Sequence, residues 1–139
     1  MGYQKPTSKK QEGAQRYRHS GLKEDEAKRL SKELIQYFVS EKPYLNGKLS
    51  LSDVAQQLGI SVNHLSQVIN EQTGMSFFDF VNSYRIEEVK LRLNNSDHEN
   101  FTLLGIAYDS GFNSKSNFNS IFKKFTGFTP SQFAKQQIA

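Results

Sequence analysis

The run Gly111-Phe112-Asn113-Ser114-Lys115-Ser116-Asn117-Phe118-Asn119-Ser120-Ile121-Phe122-Lys123-Lys124-Phe125-Thr126-Gly127 carries large apolar side chains at Phe118, Ile121, Phe122 and Phe125. That i, i+3, i+4, i+7 series lays one apolar stripe along a helix. Off the stripe, Lys115, Ser116, Asn119, Ser120 and Lys123 form a face without a carboxylate. Amides, hydroxyls and ammonium groups in that arrangement suit the base edges and phosphates of a nucleic acid. Alone, the same pattern also describes an ordinary amphipathic helix with a solvated side. The choice between the two rests on the fact that the chain contains the pattern twice.

Ser50 to Ser61 matches Thr102 to Ser114 at an offset of 52, which becomes 53 after one extra residue near Phe112-Asn113. Val54 then pairs with Ile106, Ala55 with Ala107, Gly59 with Gly111, Leu65 with Phe118, Val68 with Ile121, Ile69 with Phe122, and Thr73-Gly74 with Thr126-Gly127. An internal repeat of this extent is much harder to meet by chance than one motif. Each copy predicts two short helices around a glycine turn, with Ser50 or Thr102 capping the first helix and Ser61 or Ser114 the second. Ala55 falls where the paired helices must cross closely.

The remaining segments continue the helical pattern. Leu30, Leu34, Ile35, Phe38 and Val39 predict a helix from Lys23 to Glu41, ended by Lys42-Pro43, with a loop from Tyr44 to Lys48. Ser50-Leu51-Ser52-Asp53, Ser76-Phe77-Phe78-Asp79 and Thr129-Pro130-Ser131-Gln132 read as capping boxes. The second opens a longer helix to about Asn95, about 28 Å at 1.5 Å per residue; a polar loop follows from Asn94 to Asn100. Residues 1 to about 20 have no apolar period and read as a disordered basic tail or tether. No segment has a strand period. The expected fold is all-α: about seven helices, forming two helix-turn-helix subdomains (residues 50–74 and 102–127) joined by a linker helix over 77–95.

Composition narrows the function further. The chain of 139 residues has no cysteine, which removes disulfides and thiolate metal sites. His19, His64 and His98 are far apart in sequence, no Gly-rich phosphate loop is present, and no His–carboxylate pair has helical spacing, so no metal, cofactor, small-molecule site or enzymatic role is expected. No apolar run approaches the ~20 residues of a membrane span. The net charge of +4 is unevenly distributed. Residues 1–23 hold six cations against Glu12, whereas Lys115, Lys123, Lys124 and Lys135 lie in an acid-free final 30 residues. Between Ser50 and Gly74 there is no lysine or arginine.

Two recognition helices on one face of a duplex lie about one turn, roughly 34 Å, apart, and the linker helix has about the length to set that spacing. A single chain would then read two successive major-groove segments of double-stranded DNA, and the site need not be palindromic. The outward face of the first reader is Val62, Asn63, Ser66, Gln67 and Asn70; that of the second is Lys115, Ser116, Asn119, Ser120 and Lys123. Asn63, Ser66, Gln67, Lys115, Ser116, Asn119 and Ser120 are the base-reading candidates, because amides can pair with adenine edges, lysine with guanine acceptors and serine with either. Ser61, Ser114, Lys123 and Lys124 are the phosphate candidates. His64 aligns with Asn117 beside a core position and reads equally as a packing residue. The alternative is a protein-interaction or membrane-surface module without direct DNA readout, which suits a first unit that carries acids and no cation.

Leu51-Ser52-Asp53-Val54-Ala55 through Ser61, Leu65 and Gly74, then Tyr84-Arg85-Ile86, and above all Ile106-Ala107, Gly111-Phe112, Phe118, Phe122-Lys123-Lys124, Thr126-Gly127 and Thr129-Pro130-Ser131 resemble the DNA-binding domain of the AraC family of bacterial transcription regulators. With Leu65 to Asn70 and Gly111 to Ser116 as they stand, the segment is most similar to output domains that Bacteroidetes-type proteins attach to a membrane-bound sensor. The resemblance implies a cytoplasmic output domain, tethered to the inner membrane through an N-terminal region, with a sensor domain on the same longer chain and RNA polymerase among its partners. Gln67 and Ser120 stand where many relatives have arginine, so a guanine preference does not transfer. Ser114 and Ala134 replace an acid and an arginine, which removes one local ion pair.

Overall fold

The computed structural model describes residues 9–95 and 102–138. Among these, the chain forms seven α-helices and one 3-10 turn, with no strand: α1 Lys9–Glu41, the turn Pro43–Leu45, α2 Leu51–Leu58, α3 Val62–Thr73, α4 Phe77–Asn95, α5 Leu103–Asp109, α6 Lys115–Thr126 and α7 Pro130–Ile138. Of the expected basic tail, residues 1–8 lie outside the described part, as do residues 96–100 of the expected polar loop and residue 101 after it.

α1 begins at Lys9 rather than at Lys23. The added residues 9–22 hold Lys9, Lys10, Gln11, Glu12, Ala14, Gln15, Arg16 and Arg18, which favour helix through backbone propensity against Gly13 and Gly21, and they leave no apolar period to detect. Its buried stripe also differs from the expected one: Ala27, Leu30, Leu34 and Phe38 face inward, while Ile35 and Val39 are exposed. Lys42 ends α1 with φ 49°, a left-handed residue that the following Pro43 helps to keep out of the helical region. The expected loop then folds back as the 3-10 turn and buries Tyr44, which stacks on Phe38 at 5.9 Å between ring centroids.

Two cores share α4. Its N-terminal half supplies Phe80 and Val81 to a core with Leu34, Phe38, Tyr44, Val54, Ala55, Leu65 and Ile69. Its C-terminal half supplies Ile86, Val89 and Leu93 to a core with Ile106, Ala107, Phe112, Phe118, Ile121 and Phe122. Along the same helix, Asn82, Arg85 and Glu88 are buried. Arg85 Nε donates to the Tyr44 carbonyl at 2.8 Å, Nη2 to the Asn46 carbonyl at 3.0 Å, and Nη1 to Asn82 Oδ1 at 3.5 Å. Burial lowers the Arg85 pKa from its usual value, and these acceptors offset the cost of taking the cation out of water. Glu88 accepts from Arg92 Nε at 2.8 Å and lies 3.7 Å from Lys42 Nζ. Burial, and next the Glu88 charge, raise the pKa of the Tyr44 phenol.

Of the three capping boxes, those at Ser50–Asp53 and Thr129–Gln132 close in both directions. At Ser76 only the forward bond forms, from Asp79 N to Ser76 Oγ at 3.1 Å. The Asp79 carboxylate instead accepts from Lys124 Nζ at 3.0 Å, a charged partner that competes well with a backbone amide.

Candidate nucleic-acid interface

The two predicted reading helices have the same construction. α3 and α6 are 12 residues each, and each starts at a serine whose Oγ accepts from the amide three residues on, His64 N or Asn117 N, at 3.1 Å. Each ends at a glycine in the left-handed region, Gly74 (φ 74°) or Gly127 (φ 82°). The turn before each reader is also shared: Ile60 N donates to the Ala55 carbonyl and Phe112 N to the Ala107 carbonyl, both at 3.0 Å. Leu65, Val68 and Ile69 of α3 and Phe118, Ile121 and Phe122 of α6 are buried in matching positions. Burying those triads turns the remaining sides of the helices outward.

Asn63, Ser66 and Gln67 of the first reader and Lys115, Ser116, Asn119 and Ser120 of the second are all exposed. His64 is only part-buried, between the two roles its sequence position allowed. Ser61 and Ser114 use an oxygen lone pair on their own helix, which leaves each hydroxyl hydrogen free to donate to a phosphate beside a helix N-terminus.

The electrostatics of the two faces differ. Gln67 Nε2 donates to Glu71 Oε2 at 3.1 Å, so one candidate is already tied to an acid on its own helix. α1 packs against the side of α3 through Ala27, Leu30 and Val68. Glu26 of α1 thereby borders a groove of ≈ 300 Å³ that is also lined by Asn63, His64, Gln67 and Glu71. Sequence reasoning missed this acidic flank, although Ala27 extends the i, i+3, i+7 stripe of Leu30 and Leu34. On α6 there is no acid. Among the described residues Lys115 and Lys123 have no carboxylate within ion-pair distance, whereas Lys124 is paired with Asp79. Of the two cations of its last turn, Lys123 is therefore the unpaired one among the described residues, and Lys124 shares its charge with Asp79.

Near the readers, Asn113 carried no expected role, Gly47 was expected only as part of a loop, and Gly111 was expected only as a turn glycine. Asn113 Nδ2 donates to the Gly47 carbonyl at 2.7 Å, across 66 positions of sequence. Gly111, at φ 106°, lies so close to this loop that a Cβ there would stand 2.2 Å from the Tyr44 carbonyl oxygen and 2.7 Å from Arg85 Nε.

A family described as "Helix-turn-helix domain" matches residues 54–136. A helix-turn-helix-type transcriptional regulator of Staphylococcus aureus strain COL is 41% identical over 85 residues, 61% of this chain and 11% of the relative. The C-terminal domain of the two-component response regulator yesN from Fusobacterium nucleatum is 31% identical, with a TM-score of 0.63 over 75% of this chain and 97% of that one. The C-terminal domain of AraT, a response regulator from Geobacillus stearothermophilus, is 26% identical, with a TM-score of 0.67 over 77% of this chain and 84% of that one. The chain thus spans about a tenth of the length of the curated relatives it matches. With its capped helix pairs, its glycine turns and the long helix between them, the chain belongs to the AraC-type helix-turn-helix family of transcription regulators.

Proposed function

We propose that the chain binds double-stranded DNA sequence-specifically, placing α3 and α6 in successive major-groove segments, as the output domain of a transcription regulator. The observation that carries this reading is the matched pair of serine-capped helices, each buried on one side and presenting amides, hydroxyls or lysines on the other. In it, Asn63, Ser66, Gln67, Lys115, Ser116, Asn119 and Ser120 face base edges, while Ser61, Ser114 and Lys123 hold phosphates, with a smaller share from Lys124, which Asp79 holds. α6, without an acid, supplies more of the affinity. α3, with amides and no cation, supplies mainly discrimination.

The small share of its relatives that the chain spans supports a further step: the signal is received by a sensor domain elsewhere on a longer protein, and the readout passes to RNA polymerase. On this reading the domain works in the cytoplasm, tethered to the inner membrane as part of a membrane-sensor protein.

In vitro selection from random duplexes tests the central claim. The expected result is a motif of two unequal elements about 10 base pairs apart, with preference relaxed within one element by Gln67→Ala. Absence of any enriched sequence would transfer the weight to a protein-binding role, which the acidic flank of α3 would suit.

A further inference from the structure

The two helix-turn-helix units match in their sequence pattern, in the serine caps and glycine ends of their reading helices and in the hydrogen bond that closes each turn, and they differ in length by the one extra residue of the second turn. Gly59-Ile60 leads directly into Ser61, whereas Gly111-Phe112 is followed by Asn113 before the matching cap Ser114. That residue adds nothing to the core, since it is exposed. Its side chain leaves its own unit and donates to the Gly47 carbonyl, in the loop that leads into the first unit. Both backbones at this contact are glycine for a steric reason. A Cβ on Gly47 would stand 2.1 Å from Asn113 Oδ1 and 3.1 Å from the Gly111 carbonyl oxygen, and one on Gly111 would enter the Tyr44 carbonyl. Arg85, from the middle of α4, closes the contact by donating to the carbonyls of Tyr44 and Asn46.

A single helix between two lobes is one attachment, about which they can bend and twist; the close glycine contact at Asn113, in addition to the exposed Lys124–Asp79 pair, removes most of that freedom. Asn113 also directly precedes the cap of α6, so a shift at Asn113 is a shift at the N-terminus of the second reader. We propose that this contact sets the register between the two readers, and that Asn113 is the residue that makes the chain discriminate the spacing between its two DNA elements. The inference rests on the DNA-binding reading and adds to it a constraint that neither reader carries by itself.

The test compares the chain with its Asn113→Ala and Gly47→Ala variants on the selected duplex and on the same duplex with one base pair inserted between the elements. The insertion turns one element by about 35° around the axis relative to the other, and the unaltered chain is expected to lose about tenfold in affinity, a cost comparable to a mismatched base pair. Each variant is expected to lose less than about threefold on insertion, with the double variant no more tolerant than either single one, because both remove the same contact. Partial unfolding lowers binding to both duplexes alike, so the ratio between spacings reports the register alone. Specific binding with an equal insertion penalty in all three proteins would overturn this inference and leave DNA binding standing. Failure of the unaltered chain to select any sequence would overturn both.

Discussion

The side chain of Gln67 can be oriented from its partner. Glu71 offers only acceptors, so the amide turns Nε2 toward it and commits one of its two N–H donors there. Oε1 can accept from the amino group of adenine or of cytosine, whereas the bidentate adenine contact expected from residue type needs Oε1 and an N–H aimed at one base together, an orientation that the Glu71 bond restricts. Glu71→Ala lifts that restriction. The expected outcome is a shift of preference toward adenine over cytosine, by about fivefold, at the base pair that Gln67 contacts. Competition binding with the two duplexes measures the ratio, and an unchanged ratio would remove Gln67 from that base pair. General affinity is expected to rise as well, since a carboxylate leaves the vicinity of the phosphates.

Among the elements, the turns show which glycines matter for backbone shape and which for space. Gly59 has φ 72° and no neighbour within 4 Å of the position a Cβ would take, so Gly59→Ala meets only the left-handed backbone cost, about 1 kcal/mol. Gly111 combines φ 106° with a Cβ position 2.2 Å from the Tyr44 carbonyl oxygen, so Gly111→Ala adds overpacking and is expected to cost about 3 kcal/mol or more. Urea unfolding of the two variants checks the difference. These turns also mark what is legible in a sequence. Ser50, Thr102, Gly74 and Gly127 act within one turn of chain, and their residue types announce caps; the repeat adds the pairing of helices and the buried triads. Asn113 with Gly47, Asp79 with Lys124, and α1 beside α3 join distant segments through groups that many other partners would satisfy, so no local pattern predicts them. The early start of α1 escaped for another reason, because it rests on propensity and leaves no apolar period.

Across the whole molecule, positive charge is sorted rather than abundant. Among the described residues, α6 is acid-free with Lys115 and Lys123 unpaired, α3 has Glu71 and the neighbouring Glu26, and Lys124 is paired with Asp79. Removing an unpaired phosphate contact lowers the slope of log affinity against log salt by about 1. Lys123→Ala is expected to do so on every duplex tested, and Lys124→Ala to change the slope by less than half as much. A salt titration of both variants separates the two lysines, and equal slopes would show that Lys124 leaves Asp79 to bind.

The placement of α4 has a thermodynamic consequence. Phe80 and Val81 serve one core, Ile86, Val89 and Leu93 the other, and Arg85 joins the helix to the loop between them. Neither lobe owns a complete set of helices, and melting one removes the wall against which the other is packed. The two copies therefore lack the independence of beads on a string: they are expected to gain or lose order together, in a single cooperative transition.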